Sequence, residues 1–387
     1  MANVAEVSSP MNTEFNKRAA VTILLLMAIL GAYYLPRLLR NTSLGHRVSQ
    51  IVTPMSRNEM SRENVDALVD GYYEGLRKDA TAPGLPGERE DIQFRDDFLR
   101  YELRPNINRP YKAGLRFTNS MGMANPEYSF AKPPHTRRIA ILGDSLSLGP
   151  YGHDYVARLE DRLNQNCRTP EIQNYQILNF SAYAYNILQM MDVGLDKAPL
   201  FHPDAYVFTI TDLEAMDTLG WRTHVGSLLT NGTDLKYDYL RKVVADAGLS
   251  KANHLPTIRK RLNPYIHPVR LWALEQIRDE ATKQGATMDI FLIPAPLSYD
   301  LVNADFTEFE EAAQPVGVPI IDLRDTFRNV NLSAIEVDQN SDIHPNVLGH
   351  TMIADNLFSK MQAQPAAWLA LAGHPCQVAP QTAAQGK

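Results

Sequence analysis

Apolar and polar positions along residues 136–364 follow two periods, one typical of buried strands and one typical of helices. Segments of strand length that are mostly apolar occupy 137–142, 176–180, 205–210, 288–293 and 318–323. Apolar residues recur at helical spacing over 151–163, 186–195, 269–283 and 348–361. Strands that alternate with helices in this way are joined by right-handed crossovers in a parallel sheet. The pattern therefore predicts an α/β fold, a three-layer α/β/α sandwich with a mostly parallel sheet.

The rest of the chain is divided by composition. We predict an N-terminal tail (1–18), a transmembrane helix (19–39), a membrane-proximal helix with an N-terminal extension (40–135), the α/β domain (136–364) and a C-terminal tail (365–387). Within the domain, residues 213–264 form a polar, partly helical insertion. In the extension, the spacing over 61–73 predicts an amphipathic helix, and 100–106 and 114–120 are predicted to pair as a hairpin.

The segment 19–35 contains no charged residue. Together with Leu38 and Leu39 it approaches the ~20 residues that cross a bilayer. Because no small-x-small cleavage site follows, we favour an uncleaved signal anchor over a cleaved signal peptide. Positive residues flank both ends, so charge alone leaves the orientation open, but long C-terminal domains translocate largely regardless of it. We expect a single-pass membrane protein whose domain lies outside the cytoplasm, periplasmic or on the cell surface.

Charge and cysteine content limit the classes of binding partner and of cysteine chemistry that we expect for this chain. The net charge is −6 and no long basic run occurs, which excludes nucleic acid as the main partner. The only two cysteines are Cys167 and Cys376, and no C-x-x-C metal spacing exists. They are either two inert thiols or one disulfide, which would tie the C-terminal tail to the domain and require an oxidising compartment.

The run 137–142 ends abruptly in Gly143-Asp144-Ser145. Ser145 is therefore expected at the carboxyl end of a strand, where open α/β sheets bind ligands. Its own backbone N–H and the positive end of the next helix suit it to attack a carbonyl and to stabilise an oxyanion. The alternative is a serine that only caps a helix in a tight turn.

A histidine near the other end of the domain strengthens the first interpretation. His344 precedes Pro345 and a predicted helix, and Asp342 is close by in sequence. A histidine oriented by a carboxylate has the chemistry of a general base. Since the carboxyl ends of parallel strands share one edge of a sheet, His344 and Ser145 can meet there.

These motifs resemble the SGNH/GDSL hydrolase superfamily. Its nucleophile block is matched by Gly143-Asp144-Ser145-Leu146, and its last block by His344-Pro345-Asn346 with Gly349-His350. The segments 118–123 and 132–139 also resemble members, many of them bacterial, that carry an extra N-terminal segment. The match covers roughly residues 95–361 by block order and spacing. It implies an SGNH/flavodoxin-like sheet, with Ser145 as nucleophile and His344 as base.

The family's acid usually lies three residues before the histidine, where this chain has Ser341. We therefore assign Asp342, two residues before, as the orienting acid, with Asp338 in reserve; a histidine that works with backbone alone is a further option.

The resemblance also implies an oxyanion hole made by the N–H groups of Ser145 and Ala184 with help from Thr211. Ala184 stands where the family has glycine, and it can supply an N–H if its backbone angles are ordinary. Thr211 stands where the family has asparagine and is a shorter donor. Asn186 or the Thr209 hydroxyl is a candidate to compensate for the missing amide.

The sequence thus predicts a serine esterase that acts outside the cytoplasm through an acyl-enzyme on Ser145. Its expected partners are an acyl ester, with an acylated glycan as one candidate, and the membrane through 19–39; no metal or organic cofactor is required. One alternative is an O-acetyltransferase or deacetylase of cell-surface polysaccharide. Another is a non-catalytic binding or assembly protein. The aromatic residues Trp221, Tyr237 and Tyr239 of the insertion either shape a glycan or acyl pocket or form local core.

Overall fold

A computed structural model describes residues 88–111, 114–215, 220–338 and 342–376. The predicted tail 1–18, the transmembrane helix 19–39 and the amphipathic helix 61–73 lie outside these residues. None of the helices in the described ranges combines the length and apolar character that a bilayer-spanning helix needs.

Four of the described strands, all in one central sheet, have six or seven residues, and the other described strands have three or four. The described strands are β1 (Ile92–Phe94), β2 (Tyr101–Leu103), β3 (Asn108–Tyr111), β4 (Gly114–Phe117), β5 (Thr136–Leu142), β6 (Asn174–Asn179), β7 (Ala205–Thr211), β8 (Thr287–Ile293), β9 (Ile320–Asp322), β10 (Glu336–Asp338) and β11 (Asp342–Pro345).

The described α-helices range from single turns to 18 residues. They are α1 (Glu88–Asp91), α2 (Ser145–Leu148), α3 (Tyr155–Asn166), α4 (Ile187–Asp196), α5 (Asp212–Ala215), α6 (Trp221–Asn231), α7 (Asp238–Asp246), α8 (Leu255–Leu262), α9 (Ile266–Lys283), α10 (Tyr299–Ala313), α11 (Val347–Gln362) and α12 (Pro365–Ala372).

The central sheet has the order β6-β5-β7-β8-β9, and all four neighbouring pairs are parallel. Successive residues of β5 face opposite sides: Ile139 and Ile141 belong to one apolar core, and Ala140 and Leu142 to the other. Because both faces of the sheet are covered, the middle residues of its strands are mostly apolar. The predicted α/β fold with a parallel sheet between helices is confirmed.

The N-terminal extension differs from the predicted single hairpin. β2 and β4 lie in the two segments that were expected to pair with each other. Instead, β2 pairs with β1 and β4 pairs with β3, both antiparallel. Each strand thus pairs with the strand that precedes it in the chain, which requires only a short connection.

The insertion contains α5 to α8, and its aromatic residues form local core. Trp221 is fully buried. The rings of Tyr237 and Tyr239 pack against Trp272 with centroids 5.5 and 4.8 Å apart. In the described residues these side chains thus take part in local packing, and a role in a glycan or acyl pocket stays a prediction.

The predicted C-terminal tail includes a further helix, α12. Arg137 at the start of the central sheet donates from Nε to Leu371 O and from Nη2 to Ala370 O, both at 2.7 Å. Beyond α12, Cys376 is disulfide-bonded to Cys167, with their Cα atoms 4.9 Å apart. The structure thus attaches the end of α3 to the segment that follows α12.

Candidate active site

The Gly143-Asp144-Ser145 turn follows β5 directly. Asp144 caps the one-turn helix α2, because its Oδ1 accepts a hydrogen bond of 2.9 Å from the N–H of Leu146. α2 ends at Gly149, whose φ of +50° is in the left-handed region. The helix predicted from residue 151 therefore begins later, at Tyr155. Ser145 is the first residue of α2 and is only 5% exposed.

A layer of buried hydroxyl groups, hydrogen-bonded to one another, packs against the Gly143-Asp144-Ser145 turn. Ser147 Oγ lies 2.7 Å from the Tyr155 hydroxyl and 3.0 Å from Thr209 Oγ1. Thr209 in turn donates to Leu142 O at 3.2 Å. A Cβ at Gly143 would lie 2.8 Å from Ser147 Oγ, a distance that real Cβ atoms do not show, so only glycine fits there. The Thr209 hydroxyl thus makes its hydrogen bonds to Ser147 and Leu142, within this group of buried hydroxyls.

His344 contacts Ser145, but it does so from the antiparallel β10–β11 hairpin and not from the end of a strand of the central sheet. Its Nε2 lies 2.7 Å from Ser145 Oγ. His344 belongs to β11, and the next residue but one, Asn346, caps α11 by accepting from the N–H groups of Leu348 and Gly349. This distance is within the range in which a histidine can take a proton from a serine hydroxyl.

The assigned acid lies in the hairpin that presents His344. β10 and β11 are antiparallel, and Asp338 is the register partner of Asp342. The side chains of these two aspartates and residues 339–341 lie outside the described part of the chain. The orienting role of Asp342, with Asp338 in reserve, stays a prediction.

Asp144 is an acid in the site to which we assigned no role from sequence. It is fully buried, and burial raises the pKa of its carboxyl to about 6. The hydrogen bonds from Leu146 N–H and Thr211 and the positive charge of His344 act against that rise. Conversely, an ionised Asp144 favours the protonated imidazole that forms when His344 takes a proton. The sequence signal for Asp144 was its position in the Gly143-Asp144-Ser145 motif, directly before the serine.

Ala184 has a left-handed backbone conformation, which favours glycine. Its φ is +50°, and the residue is fully buried. The sequence-based condition of ordinary backbone angles is therefore not met, because this left-handed region costs an alanine about 1 kcal/mol. Its N–H donates to no acceptor in the described part of the chain. Together with the Ser145 N–H, it stays a predicted donor to an oxyanion.

Thr211 has a different partner from the predicted oxyanion. Its hydroxyl donates to Asp144 Oδ2 at 2.8 Å, so the proton of this hydroxyl points to the carboxylate of Asp144. Asn186 cannot compensate, because it caps α4 and its Nδ2 donates to Gln189 Oε1 at 2.7 Å. A contribution of Thr211 to the oxyanion hole stays a prediction that requires its hydroxyl to turn away from Asp144.

The second histidine of the last block, His350, lies in the protein interior. His350 is buried, and burial lowers the pKa of its imidazole to about 3. Its Nδ1 accepts from the N–H of Tyr155 at 3.4 Å, and its ring lies against Gly149. A neutral imidazole of such low basicity is unsuited to general-base chemistry. Among the described residues no group of three or more potential ligands could hold a metal ion.

Replacing Thr211 with valine is expected to reduce the free energy of unfolding by about 2 kcal/mol at pH 8 and by less at pH 5. The hydroxyl stabilises ionised Asp144, so its removal raises the pKa of that carboxyl further above its unfolded value. The part of the cost that comes from Asp144 is small when this carboxyl is protonated and develops as the pH rises through about 6, whereas loss of the 3.3 Å bond from Glu214 N–H to Thr211 Oγ1 contributes equally at both pH values. Urea denaturation at the two pH values measures it, with Thr211→Ser as the control that keeps the hydroxyl. Equal losses at both pH values would contradict the Thr211–Asp144 bond.

Comparison with known proteins places the chain near esterases of low similarity. No protein-family model matches it, and no curated protein matches it. The acetyl xylan esterase AlAXEase is 15% identical, aligns over 57% of this chain and 98% of its own, and has a TM-score of 0.35. An acetylxylan esterase from Geobacillus stearothermophilus is 13% identical over 58% of this chain and 94% of its own, at 0.38. The psychrotrophic esterase EstA from Pseudoalteromonas sp. is 12% identical over 59% and 97%, at 0.37. Similarity of this size identifies neither a substrate nor a reaction.

The resemblance to a protein family therefore rests on features of this chain and not on these comparisons. The parallel sheet carries a Gly-Asp-Ser turn at the carboxyl end of β5, and a histidine that precedes the helix α11 contacts its serine. In fold and in the placement of Ser145 and His344, the chain resembles the SGNH/GDSL hydrolase superfamily.

Proposed function

We propose that this protein is a serine-dependent ester hydrolase that acts through an acyl-enzyme on Ser145. The observation that carries the proposal is the 2.7 Å separation of His344 Nε2 from Ser145 Oγ at the carboxyl end of the sheet. A nucleophile and a base within hydrogen-bond distance are the minimum for this chemistry. A merely capping serine would need no histidine there.

The reaction proceeds in two halves. Ser145 Oγ attacks the ester carbonyl carbon while its proton moves to His344 Nε2. The N–H groups of Ser145 and Ala184 bind the carbonyl oxygen as it becomes an oxyanion. The bond to the alcohol then breaks, and the alcohol takes the proton from His344. Water attacks the acyl-enzyme with His344 again as base, which releases the acid. Asp342 orients the imidazole and stabilises its charged form.

The proposed location is outside the cytoplasm. The Cys167–Cys376 bond supports it, because disulfides persist in oxidising compartments and are rare in the cytosol. The predicted transmembrane helix 19–39 would then hold the domain at the membrane.

A second candidate function is transfer of the acyl group to a hydroxyl of a cell-surface polysaccharide. What motivates it is the predicted transmembrane helix 19–39, which would keep the domain beside surface glycans; the 5% exposure of Ser145 restricts water and a sugar hydroxyl alike. Transfer uses the same residues and differs only in the alcohol that attacks in the second half.

The test uses the purified full chain with p-nitrophenyl acetate, butyrate and octanoate. We expect release of p-nitrophenol and free acid. Addition of an oligosaccharide acceptor distinguishes the two candidates, because transfer would produce an acylated sugar and speed the release of p-nitrophenol. Absence of turnover with every ester, with and without acceptor, would reject both and favour the non-catalytic alternative.

A further inference from the structure

We propose that the N-terminal extension completes the oxyanion site, and that Tyr101 is a positioning residue that holds the peptide group carrying the Ala184 N–H. This inference rests on the proposed function, since it assigns a role within the same site. Nothing in the sequence motifs suggested it, because Tyr101 lies 44 residues before Ser145, outside every block of the family resemblance.

The turn at Ala184 needs support from outside itself. Its φ of +50° is unfavourable for a residue with a Cβ, so a free loop would relax toward negative φ. Strained conformations persist where the surrounding structure determines them. Relaxation would rotate the neighbouring peptide groups and redirect the N–H on which oxyanion binding depends.

Tyr101 fixes the relevant peptide group directly. Its hydroxyl donates to Tyr183 O at 2.7 Å, and Tyr183 C=O and Ala184 N–H belong to the same planar peptide unit. In a trans peptide the two groups point in opposite directions, so holding the oxygen on the extension side directs the N–H away from it. Tyr101 is buried on β2, and its ring lies 5.6 Å from that of Tyr185.

Tyr185 makes the reciprocal bond. Its hydroxyl donates to Tyr101 O at 3.1 Å, so the residues on either side of Ala184 are both tied to one residue of the extension. The two bonds differ in one respect that matters here. The bond from Tyr101 acts on the peptide group that contains the Ala184 N–H, whereas the bond from Tyr185 acts on the backbone of β2.

The extension also links this turn to the helix of the nucleophile. The Tyr183 hydroxyl donates to Asp91 Oδ2 at 3.0 Å, and Asp91 is also paired with Arg109 at 2.8 Å. The guanidinium of Arg116 lies 5.1 Å from the centre of the Tyr183 ring and donates to Gly149 O at 2.6 Å. Gly149 is the C-terminal cap of α2, the helix that begins with Ser145. The extension therefore contacts both segments that carry the predicted oxyanion donors, the turn at Ala184 and α2.

Both ends of the loop that contains Ala184 are attached to the extension as well. The N–H of Asn179 donates to Asn125 Oδ1 at 3.0 Å, and Gln189 Nε2 donates to Leu99 O at 2.8 Å. The loop from β6 to α4 is thus held at its start, at its centre and at its end by residues of 91–125.

The test compares tyrosine-to-phenylalanine variants of the full chain. Tyr101→Phe is expected to lower kcat for p-nitrophenyl acetate by about 10- to 100-fold with little change in KM, because a misdirected donor weakens transition-state binding. Tyr185→Phe should have a smaller effect on kcat. Tyr175→Phe is the matched control: its buried hydroxyl lies 2.8 Å from Cys167 O and 3.1 Å from Ala372 O at the opposite end of the sheet. Denaturation curves establish that each variant is folded at the assay temperature.

Rescue separates positioning from general stability. Glycine adopts positive φ without strain, so Ala184→Gly should restore most of the kcat that Tyr101→Phe loses. It should not alter the behaviour of Tyr175→Phe. A kcat of Tyr101→Phe within twofold of the wild type, equal losses in all three tyrosine variants, or no rescue by Ala184→Gly would overturn the inference. An inactive wild type would instead overturn the proposed function, and that result is read before any variant is compared.

Discussion

Replacing Ser145 with alanine is expected to reduce ester hydrolysis by at least about 10³-fold, the loss found when a serine nucleophile is removed. The variant keeps the N–H at position 145, so weak oxyanion binding can remain, but no acyl-enzyme can form. The side chain is small and only 5% exposed, and its loss leaves Asp144 and α2 without a change in their backbone bonds. Steady-state rates with p-nitrophenyl acetate give the measurement.

Ser181→Ala is the control for this substitution. Ser181 is also buried, and its hydroxyl has no hydrogen-bond partner in the described part of the chain. Loss of that hydroxyl should leave turnover within about twofold, since no bond is broken. If Ser145→Ala retained a tenth or more of the wild-type rate, the acyl-enzyme mechanism would be wrong.

Replacing His344 with alanine is expected to lower kcat by about 10³-fold, because the serine hydroxyl then has no base to take its proton. Ester binding does not depend on this proton transfer, so KM should change much less than kcat. The double variant with Ser145→Ala should be no slower than either single variant, since the two side chains act as one unit.

His267→Ala is the matched histidine control. His267 lies at the start of α9, exposed, with Nε2 3.3 Å from Glu308. Its removal should leave kcat unchanged. A rate for His344→Ala close to that of His267→Ala would show that the 2.7 Å contact has no role in turnover.

Much of the fold could be predicted because local pattern and topology agree. The five mostly apolar segments became the central strands β5 to β9, and right-handed crossovers left few alternatives for their order. The contact of Ser145 with His344 was also predicted, but only the position of Ser145 follows from the end of a parallel strand. His344 reaches it from the β10–β11 hairpin outside the central sheet, so the motifs rather than the sheet rule identified the predicted base.

Other features depended on contacts that no local pattern encodes. The positive φ of Ala184 and the bond from Thr211 to Asp144 arise from packing between segments distant in sequence. The pairing of β1 with β2 and of β3 with β4 is a choice among short strands of mixed polarity, for which periodicity gives little guidance. α12 is an alanine-rich segment of eight residues that we took for part of the tail.

The two altered positions that were predicted to contribute to an oxyanion hole have different structural surroundings. Where the family has glycine and asparagine, this chain has Ala184, held in a strained turn, and Thr211, bonded to Asp144. The N-terminal extension supplies bonds around the first of these positions through Tyr101 and Tyr185. We therefore expect the extension and the hydrolase-like domain to be needed together for activity.

The central claim is that Ser145 is a nucleophile activated by His344, and covalent labelling tests it most directly. The full chain is incubated with a serine-directed fluorophosphonate, and the modified residue is identified by mass spectrometry of its peptides. We predict a single adduct on Ser145, formed at least about 100-fold more slowly in His344→Ala because the base is missing. No adduct on Ser145 in the wild type, or labelling at the same rate in the two proteins, would contradict the claim.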